Sequence, residues 1–507
     1  MNDHRLLAGV LLAFGFFTSF AHAVYVNDKG TGQVLIFPYY TANGGNDTLF
    51  SIVNSTADGK ALKVRFHEGY DGRSVLDFNV YLPPHGQWDA SVSSSQGADS
   101  LAMLATGEGA CTVPALAPTP GSSNVHSVNF STATFAGANL ISGPTGLSDG
   151  GPTTPDRTRE GHFDVIEMGT VTNASHGSLT AITPTVGSPA DCAHIASAWA
   201  TGGYWASDAT ADLSPPSGGL YGTEFIINVA QGTMYATTAI AIDDFSNAPQ
   251  HTQSGSPAPD LDSASRTAGG KVRALVFANG KALQLDYENP VDAVSALFMT
   301  DALDDSFYRS AGIGATSDWI VTAPTKRYYV DPALVSLTAK APFDRSFVQG
   351  YTGAAMSMGG VTTEEWGGSF PFACDDVNAT AFDSDGRSYS IGELNDGGPV
   401  NGGAGTSSPS LTPCLETSVL TFATHDVDFD GNAFSLPVSA LGSSLLDAQD
   451  PGEHVSRIYG GVNDLPAAGH LHLDLSHSPS GNDIATRALA PAANGDVLHG
   501  LPVVGIL

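Results

Sequence analysis

The sequence predicts a mainly β protein: an antiparallel β-sandwich with an immunoglobulin-like N-terminal module, long irregular loops and one or two short helices. Many short segments alternate apolar and polar residues, and 58 glycines and 30 prolines supply frequent turns in 507 residues. Alternation with one apolar face indicates a half-buried strand. Short strands separated by turn signals every 8–12 or so residues are typical of an antiparallel sandwich.

The alternation is clearest between residues 31 and 92. In "ALKVRFHEG", from Ala61 to Gly69, apolar residues alternate with charged ones, and the segment 76–82 repeats the pattern. The preceding "GQVLIFPYYT" and "DTLFSIVNST" are rich in aromatic and β-branched residues, which are enriched in strands. The sequence therefore predicts successive strands here, opening an immunoglobulin-like module.

Further along the chain, two hairpins and two helices are predicted. One hairpin covers 222–242, and the other covers 271–287 with the turn signal Asn279-Gly280. A helix is expected from Pro290, which suits a first helical position, and another within 190–199.

Four long stretches rich in Gly, Ser, Thr, Pro and Asp are predicted to be irregular: 93–127, 143–158, 246–270 and 385–412. We place a linker or long loop at 251–270. It divides a β-sandwich region, 24–250, from a second β-rich region, 271–507. The alternative is that 251–270 is a loop within one large sandwich.

The first 23 residues have the features of a secretory signal peptide. An apolar run from Leu6 to Phe17 follows a short polar head, and Ala21-His22-Ala23 resembles a cleavage site. The apolar run is too short to span a bilayer comfortably, and no later stretch is long and apolar enough to do so. We expect export to the extracellular space, the cell surface or the periplasm, with a mature chain that begins near Val24.

The charge balance excludes one class of partner. The chain carries 51 acidic and 20 basic side chains, for a formal net charge of −31. Such a surface repels nucleic acid, because phosphates are bound by Lys and Arg. It also attracts cations and keeps a protein soluble through self-repulsion.

The four cysteines are predicted to form disulfides. Cys111, Cys192, Cys374 and Cys414 contain no C-x-x-C pair, and an even number in an exported chain indicates disulfide bonding. Three pairings are open. We favour Cys111–Cys192 and Cys374–Cys414, because each bond then closes a loop within one half of the chain.

A histidine-rich segment near the C-terminus is the first candidate for metal chemistry. "GHLHLDLSHS" contains His470, His472, Asp474 and His477. Leucines at every second position give the period of a strand with one polar face. The spacing also resembles the start of a metallo-β-lactamase motif, but His477 is out of step with it. We expect a strand, on which His470 and His472 share a face.

The second candidate is a calcium site. Asp426, Asp428 and Asp430, followed by Gly431, match the first half of an EF-hand loop. The second half fails, because position twelve is Pro437 where the motif has Glu. A strand that ends in an Asp-Gly-Asn turn fits these residues equally well. Calcium is the only cofactor that the sequence indicates.

Three segments resemble those of a family of largely uncharacterised, exported, β-rich bacterial surface or extracellular proteins. They are "GQVLIFPYYT", "SDWIVTAPTKRYYVDP" and the terminal "GLPVVGIL". The resemblance implies a β fold and a location outside the cytoplasm, and it brings no catalytic residues with it.

Together these features predict a secreted or cell-surface protein that has a binding or structural role and no catalytic activity. Its expected ligand is an extracellular or cell-surface protein or glycan. One alternative is an extracellular hydrolase or carbohydrate-active enzyme on a β-sandwich, with carboxylates from the loops. A second alternative is a calcium-dependent adhesive module.

Overall fold

The structure is a computed structural model. It describes residues 22–95, 100–107, 110–122, 124–137, 139, 149, 151–186, 190–278, 280–308, 317–335, 342–343, 375, 377–394, 410–411, 415–422, 455–460, 468–475 and 501–506.

The described chain is mainly β, as predicted. The strands up to residue 243 are β1 (Tyr25–Val26), β2 (Val34–Thr41), β3 (Asp47–Asn54), β4 (Gly59–Glu68), β5 (Ser74–Leu82), β6 (Gln87–Ser94), β7 (Ala102–Gly107), β8 (Cys111–Val113), β9 (Ala117–Pro118), β10 (Val125–Asn129), β11 (Glu160–Val171), β12 (Leu213–Ser214), β13 (Leu220–Asn228), β14 (Thr233–Thr238) and β15 (Ile240–Asp243).

These strands form two antiparallel sheets. The first has the order β1-β15-β2-β11-β4-β5-β8, with β12 also paired to β11, and the second has the order β14-β13-β3-β6-β7-β10-β9. The sheets share one apolar core. In it Phe37 and Phe163 of the first sheet stack 4.2 Å apart, and Phe50 of the second lies 4.7 Å from Phe163. Two sheets over one core are compatible with the predicted sandwich.

The prediction of an irregular stretch at 93–127 was wrong. The segment contains β7, β8, β9 and β10, and β7 pairs along its length with β6. The strands were missed because small and polar residues make the alternation weak. Only Ala102 and Leu104 of β7 lie in the shared core.

The segment 246–270 is irregular and lies against the first sheet. Lys63 Nζ donates to the carbonyl oxygen of Gln253 at 2.9 Å, and Asn79 Nδ2 donates to that of Thr252 at 2.8 Å. These contacts satisfy polar side chains that β4 and β5 direct away from the shared core. The division of the chain at 251–270 remains a prediction.

The later strands are β16 (Val272–Ala278), β17 (Lys281–Tyr287), β18 (Met299–Thr300), β19 (Ala302–Tyr308), β20 (Asp318–Thr322), β21 (Val377–Asp383), β22 (Ser388–Leu394), β23 (Ser410–Leu411), β24 (Thr417–Phe422), β25 (Val455–Gly460), β26 (Ala468–Asp474), β27 (Leu501–Pro502) and β28 (Val504–Ile506). A third sheet has the order β19-β26-β21-β22-β25-β24-β20-β28, with β23 beside β21. Within it only β24 and β25 pair in parallel.

Both predicted hairpins are confirmed, as β13–β14 and β16–β17. Gly232 and Gly280 take positive φ at the two turns. The described helices are short: α1 (Ser178–Ile182), α2 (Cys192–Ala198), α3 (Tyr204–Ser207), α4 (Pro290–Ala296) and α5 (Arg327–Val330).

The predicted helices are α2 and α4, and three more short ones join them. Asp191 caps α2, because its side chain accepts from the N–H of His194. None of the helices in the described ranges has the length and apolar character needed to cross a membrane.

Candidate functional site

The histidine-rich segment forms a strand up to Asp474, as predicted, and His477 lies outside the described residues. Leu471 and Leu473 of β26 are 0% and 2% exposed and belong to the core of the third sheet. On the other face, His472 Nδ1 lies 2.8 Å from Asp304 Oδ1, and the His470 ring stacks 4.8 Å from that of Phe382. The described residues contain no group of three or more His, Cys, Asp or Glu that could hold a metal ion.

The other predicted sites are covered only in part. Asp426, Asp428 and Asp430 lie outside the described residues, as do Cys374 and Cys414. The disulfide between Cys111 and Cys192 is present.

Sequence reasoning missed a cluster of buried charges where the first sheet meets the later part of the chain. We call it the buried charge cluster. It consists of Glu68, Asp71, Arg73, Asp149, Arg157, Asp331 and, at its margin, Arg327.

Two arginines carry the cluster. Arg157 donates to Glu68 through Nε at 2.8 Å and Nη2 at 3.0 Å, and it also pairs with Asp149. Arg73 reaches Asp149 at 3.2 Å and Asp331 at 3.0 Å, which ties the turn after β4 to α5. Arg side chains are almost never fully buried unless they are paired. We therefore interpret the cluster as structural, since its ion pairs hold distant parts of the chain together.

The protonation of the cluster follows from its charge count. Four carboxyl groups face three guanidinium groups. Burial alone would raise the pKa of Glu68, but Arg157 outweighs it and holds that pKa below its usual value. Burial and the neighbouring carboxylates of Asp331 and Asp149 raise the pKa of Asp71 well above its usual value. This shift favours the protonated form of Asp71, which reduces the excess of negative charge in the cluster.

Two histidines next to the cluster form a buried stack. The rings of His67 and His162 lie 4.8 Å apart, His67 Nε2 is 3.7 Å from Asp164, and His162 Nε2 is 3.7 Å from Glu416. Burial lowers the pKa of His162 well below its usual value and raises that of Glu416 well above. Imidazole and carboxyl groups distant in sequence thus meet, but both His162 and Glu416 are packed in the interior, at 1% and 2% exposure.

A cavity in the third sheet's core has a volume of about 30 Å³. Apolar side chains line it, including Val321, Leu420 and Leu473, together with the ion pair of Lys326 and Asp375. Room of this size can hold water molecules.

An exposed apolar surface lies on the second sheet. We call it the outer face; it consists of Leu49, Tyr221, Phe225, Ile227 and Met234. Leu49 and Phe225 are directly opposite each other on β3 and β13, at 38% and 37% exposure, and Met234 of β14 is 63% exposed. Because side chains alternate between the faces of a strand, these residues project away from the shared core. Contiguous exposed apolar surface often marks an interaction site.

The outer face reaches the edge of the sheet. β14, "TMYATT", pairs with β13 on one side, and within the described residues no strand pairs with its other side. The strand has no charged residue and no proline. Natural proteins usually protect an edge strand with such residues, because free N–H and C=O groups are a template for another strand. β14 has no such protection.

A buried carboxyl group lies beneath this surface. Glu224 of β13 points inward between Gly222 and Ile226 and is 0% exposed. Within the described residues neither carboxyl oxygen has a hydrogen-bond partner. Burial raises the pKa of Glu224 well above its usual value, which favours the neutral form.

The comparisons with known proteins add no identity. No family model, no curated protein and no solved structure matches the chain. The resemblance to exported β-rich bacterial proteins therefore stays a prediction.

Proposed function

We propose that this chain is an exported, non-catalytic structural and binding protein of the cell exterior, and that it assembles with a second copy of itself through the edge strand β14. The observation that carries the proposal is an uncharged edge strand, unpaired on one side within the described residues, next to an exposed apolar face. The N-terminal region is assigned to the immunoglobulin-like sandwich class, which is compatible with two antiparallel sheets over one core.

Two features support export. The first 23 residues have the form of a signal peptide, with small residues at Ala21 and Ala23. The bond between Cys111 and Cys192 closes a loop with a sequence separation of 81. Structural disulfides persist outside the reducing cytoplasm.

Charge favours a second copy at this particular edge. Two chains with a formal charge of −31 repel each other over most of their surfaces. β14 carries no charge, and on the outer face of β13 Tyr221, Phe225 and Ile227 are also uncharged. The nearest carboxyl group on this face is Asp47, and partial burial already raises its pKa. β14 itself therefore adds no charge to such a contact, although the Asp318 carboxylate acts on Tyr235 of this strand and contributes to raising its pKa.

Symmetry makes the contact self-complementary. In an isologous dimer the same patch is used by both chains, and a two-fold axis perpendicular to the sheet places β14 antiparallel to its own copy. Outward side chains stay on the outward face under this operation. Met234 and Phe225 of both copies then extend one apolar surface across the joined sheets, and the free backbone groups of both edges become paired.

Hydrogen–deuterium exchange tests the proposed contact. We expect the amides of β14 to be more protected at about 100 µM protein than at about 1 µM, because they bond across the new edge. The amides of β10, next to the opposite edge of the same sheet, serve as the internal control and should not change. Equal exchange of β14 at both concentrations contradicts the proposal.

A further inference from the structure

Asp244 receives both of its hydrogen bonds from the two residues that precede Val24. Asp244 Oδ1 lies 2.6 Å from His22 Nδ1, and Asp244 Oδ2 accepts from the backbone N–H of Ala23 at 2.7 Å. Asp244 follows β15 and has φ +55, which is uncommon for a residue other than glycine. If the chain is cleaved after Ala23, both partners leave and a half-exposed carboxylate remains.

Val24 is held firmly in place. It is 0% exposed, its N–H donates to the carbonyl oxygen of Arg273 at 2.9 Å, and its own carbonyl oxygen accepts from Leu275 at 2.9 Å. It belongs to an apolar cluster that also contains Val34. These contacts therefore fix the position of the backbone from Val24 onwards, and none of them involves a residue that precedes Val24.

We propose that cleavage after Ala23 creates a binding site for the new N-terminus, in which the α-ammonium group of Val24 pairs with Asp244. A peptidase adds one water across the Ala23–Val24 bond: the carboxyl group leaves with the leader, and the amine stays on Val24 and takes up a proton. An ammonium group has three protons. One keeps the bond to the Arg273 carbonyl, and the others are free for Asp244, which already binds the nitrogen one residue before.

The other charged groups nearby already have partners. Asp243 accepts from the Tyr25 hydroxyl at 3.3 Å, and the Arg273 guanidinium is paired with Asp286 at 2.6 Å. Among the described residues, both hydrogen-bond partners of the Asp244 carboxylate belong to the part of the chain that is removed. The inference rests on the export that is part of the proposed function, and it is independent of the β14 contact.

The N-terminus of the exported protein is the first test. The full chain is produced with its own leader, and the exported form is examined by N-terminal sequencing and intact mass. We expect the sequence to begin at Val24. A start at His22 overturns the inference, because Asp244 would keep its imidazole and amide partners. A fully uncleaved chain overturns the export reading as well.

The second test is the pH dependence of the stability of Asp244→Asn in the mature protein. The control is Asp305→Asn, which removes the same charge from an exposed position on β19. Asn tolerates positive φ. An α-amino group has an ordinary pKa of about 7.7–8.0, and pairing with a carboxylate raises the folded value. The stabilisation is therefore complete at pH 7 and is lost as pH rises towards 10.

We expect Asp244→Asn to lower the melting temperature by about 2 °C at pH 7 and by less at pH 10. The Asp305→Asn control should change the melting temperature by the same amount at both pH values. If Asp244→Asn lowers the melting temperature equally at pH 7 and pH 10, or at neither pH, the proposed ion pair is contradicted.

Discussion

His472 of β26 and Asp304 of β19 are directly opposite each other on neighbouring strands, with Nδ1 2.8 Å from Oδ1. Their side chains are 38% and 59% exposed. A pair this exposed is weakened by solvent and salt. The two residues are a polar cross-strand pair on the solvent-exposed face of the sheet. Leu471 and Leu473 lie on the opposite face, which packs against the core.

Replacing His470 and His472 together with Thr should leave stability nearly unchanged. Threonine keeps the strand propensity and the polar face, and such surface changes usually stay within about 0.5 kcal/mol. Urea unfolding measures the difference. The control is Leu473→Ala, which should cost about 2–5 kcal/mol because it opens a cavity in the core. A large loss in the histidine variant would show that these side chains hold the fold in a way that exposure does not explain.

Arg157→Met should be strongly destabilising. The change leaves Glu68 and Asp149 buried without their main partner, which costs about 3–5 kcal/mol in urea unfolding. The matched control is Arg387→Met, since Arg387 is 72% exposed and lies 3.7 Å from Asp383 and 3.5 Å from the exposed Asp385. An equal loss of unfolding free energy in both variants would show that the buried charge cluster does not stabilise the fold more than an exposed ion pair does.

The same cluster predicts how stability depends on acid. The pKa values of Glu68 and Asp149 are held below their usual values, for both by Arg157 against the effect of burial. Their contribution is present above the unfolded pKa of about 4 and is lost as pH falls through the lower folded values. Melting curves from pH 7 to pH 2 should show this loss of stability in the wild type and a smaller loss in Arg157→Met.

Glu224→Met should stabilise the protein more at high pH than at low pH. The folded pKa of Glu224 is raised by burial, so the wild type loses stability as pH rises from the unfolded value of about 4.3 towards the folded one. An apolar side chain of similar length removes that loss and the cost of the unpaired carboxyl, which is about 1–3 kcal/mol. Denaturation at pH 5 and pH 8 measures the change; a gain that is equal at both would contradict the raised pKa.

Non-reducing peptide mapping should find Cys111 linked to Cys192 and Cys374 linked to Cys414. For the first bond, the double Cys→Ser variant should lose about 4 kcal/mol, because a long loop is no longer closed in the unfolded chain. Linkage between Cys192 and either later cysteine would refute the pairing.

The strands that sequence reasoning found are those whose alternation is strong. Leu62, Val64 and Phe66 of β4 lie in the shared core as their spacing predicts, and Leu471 and Leu473 do so in the third sheet. The helix from Pro290 was found as well, although it ends at Ala296 and the chain turns into β18 and β19.

The buried charge cluster and the outer face were not predicted, for different physical reasons. Glu68, Arg157 and Asp331 are far apart in the sequence, and only the pairing of distant strands brings them together. One signal was available: with 20 basic residues in the chain, an Arg next to apolar strands is expected to have a specific partner. For β14, exposure depends on which strand ends the sheet, and a local pattern does not contain that information.

Sedimentation equilibrium measures directly whether two chains associate. We predict that the mass of the wild type rises towards twice the monomer mass as its concentration approaches about 100 µM, more strongly at about 0.5 M salt than at low salt, because salt screens the repulsion between two acidic chains. Met234→Asp with Ala236→Asp should remain monomeric, while Ser91→Asp with Ser93→Asp, which adds the same charge on β6 of the same sheet, should still associate. A monomeric wild type at every concentration and salt, or two variant pairs that behave alike, would contradict assembly through β14.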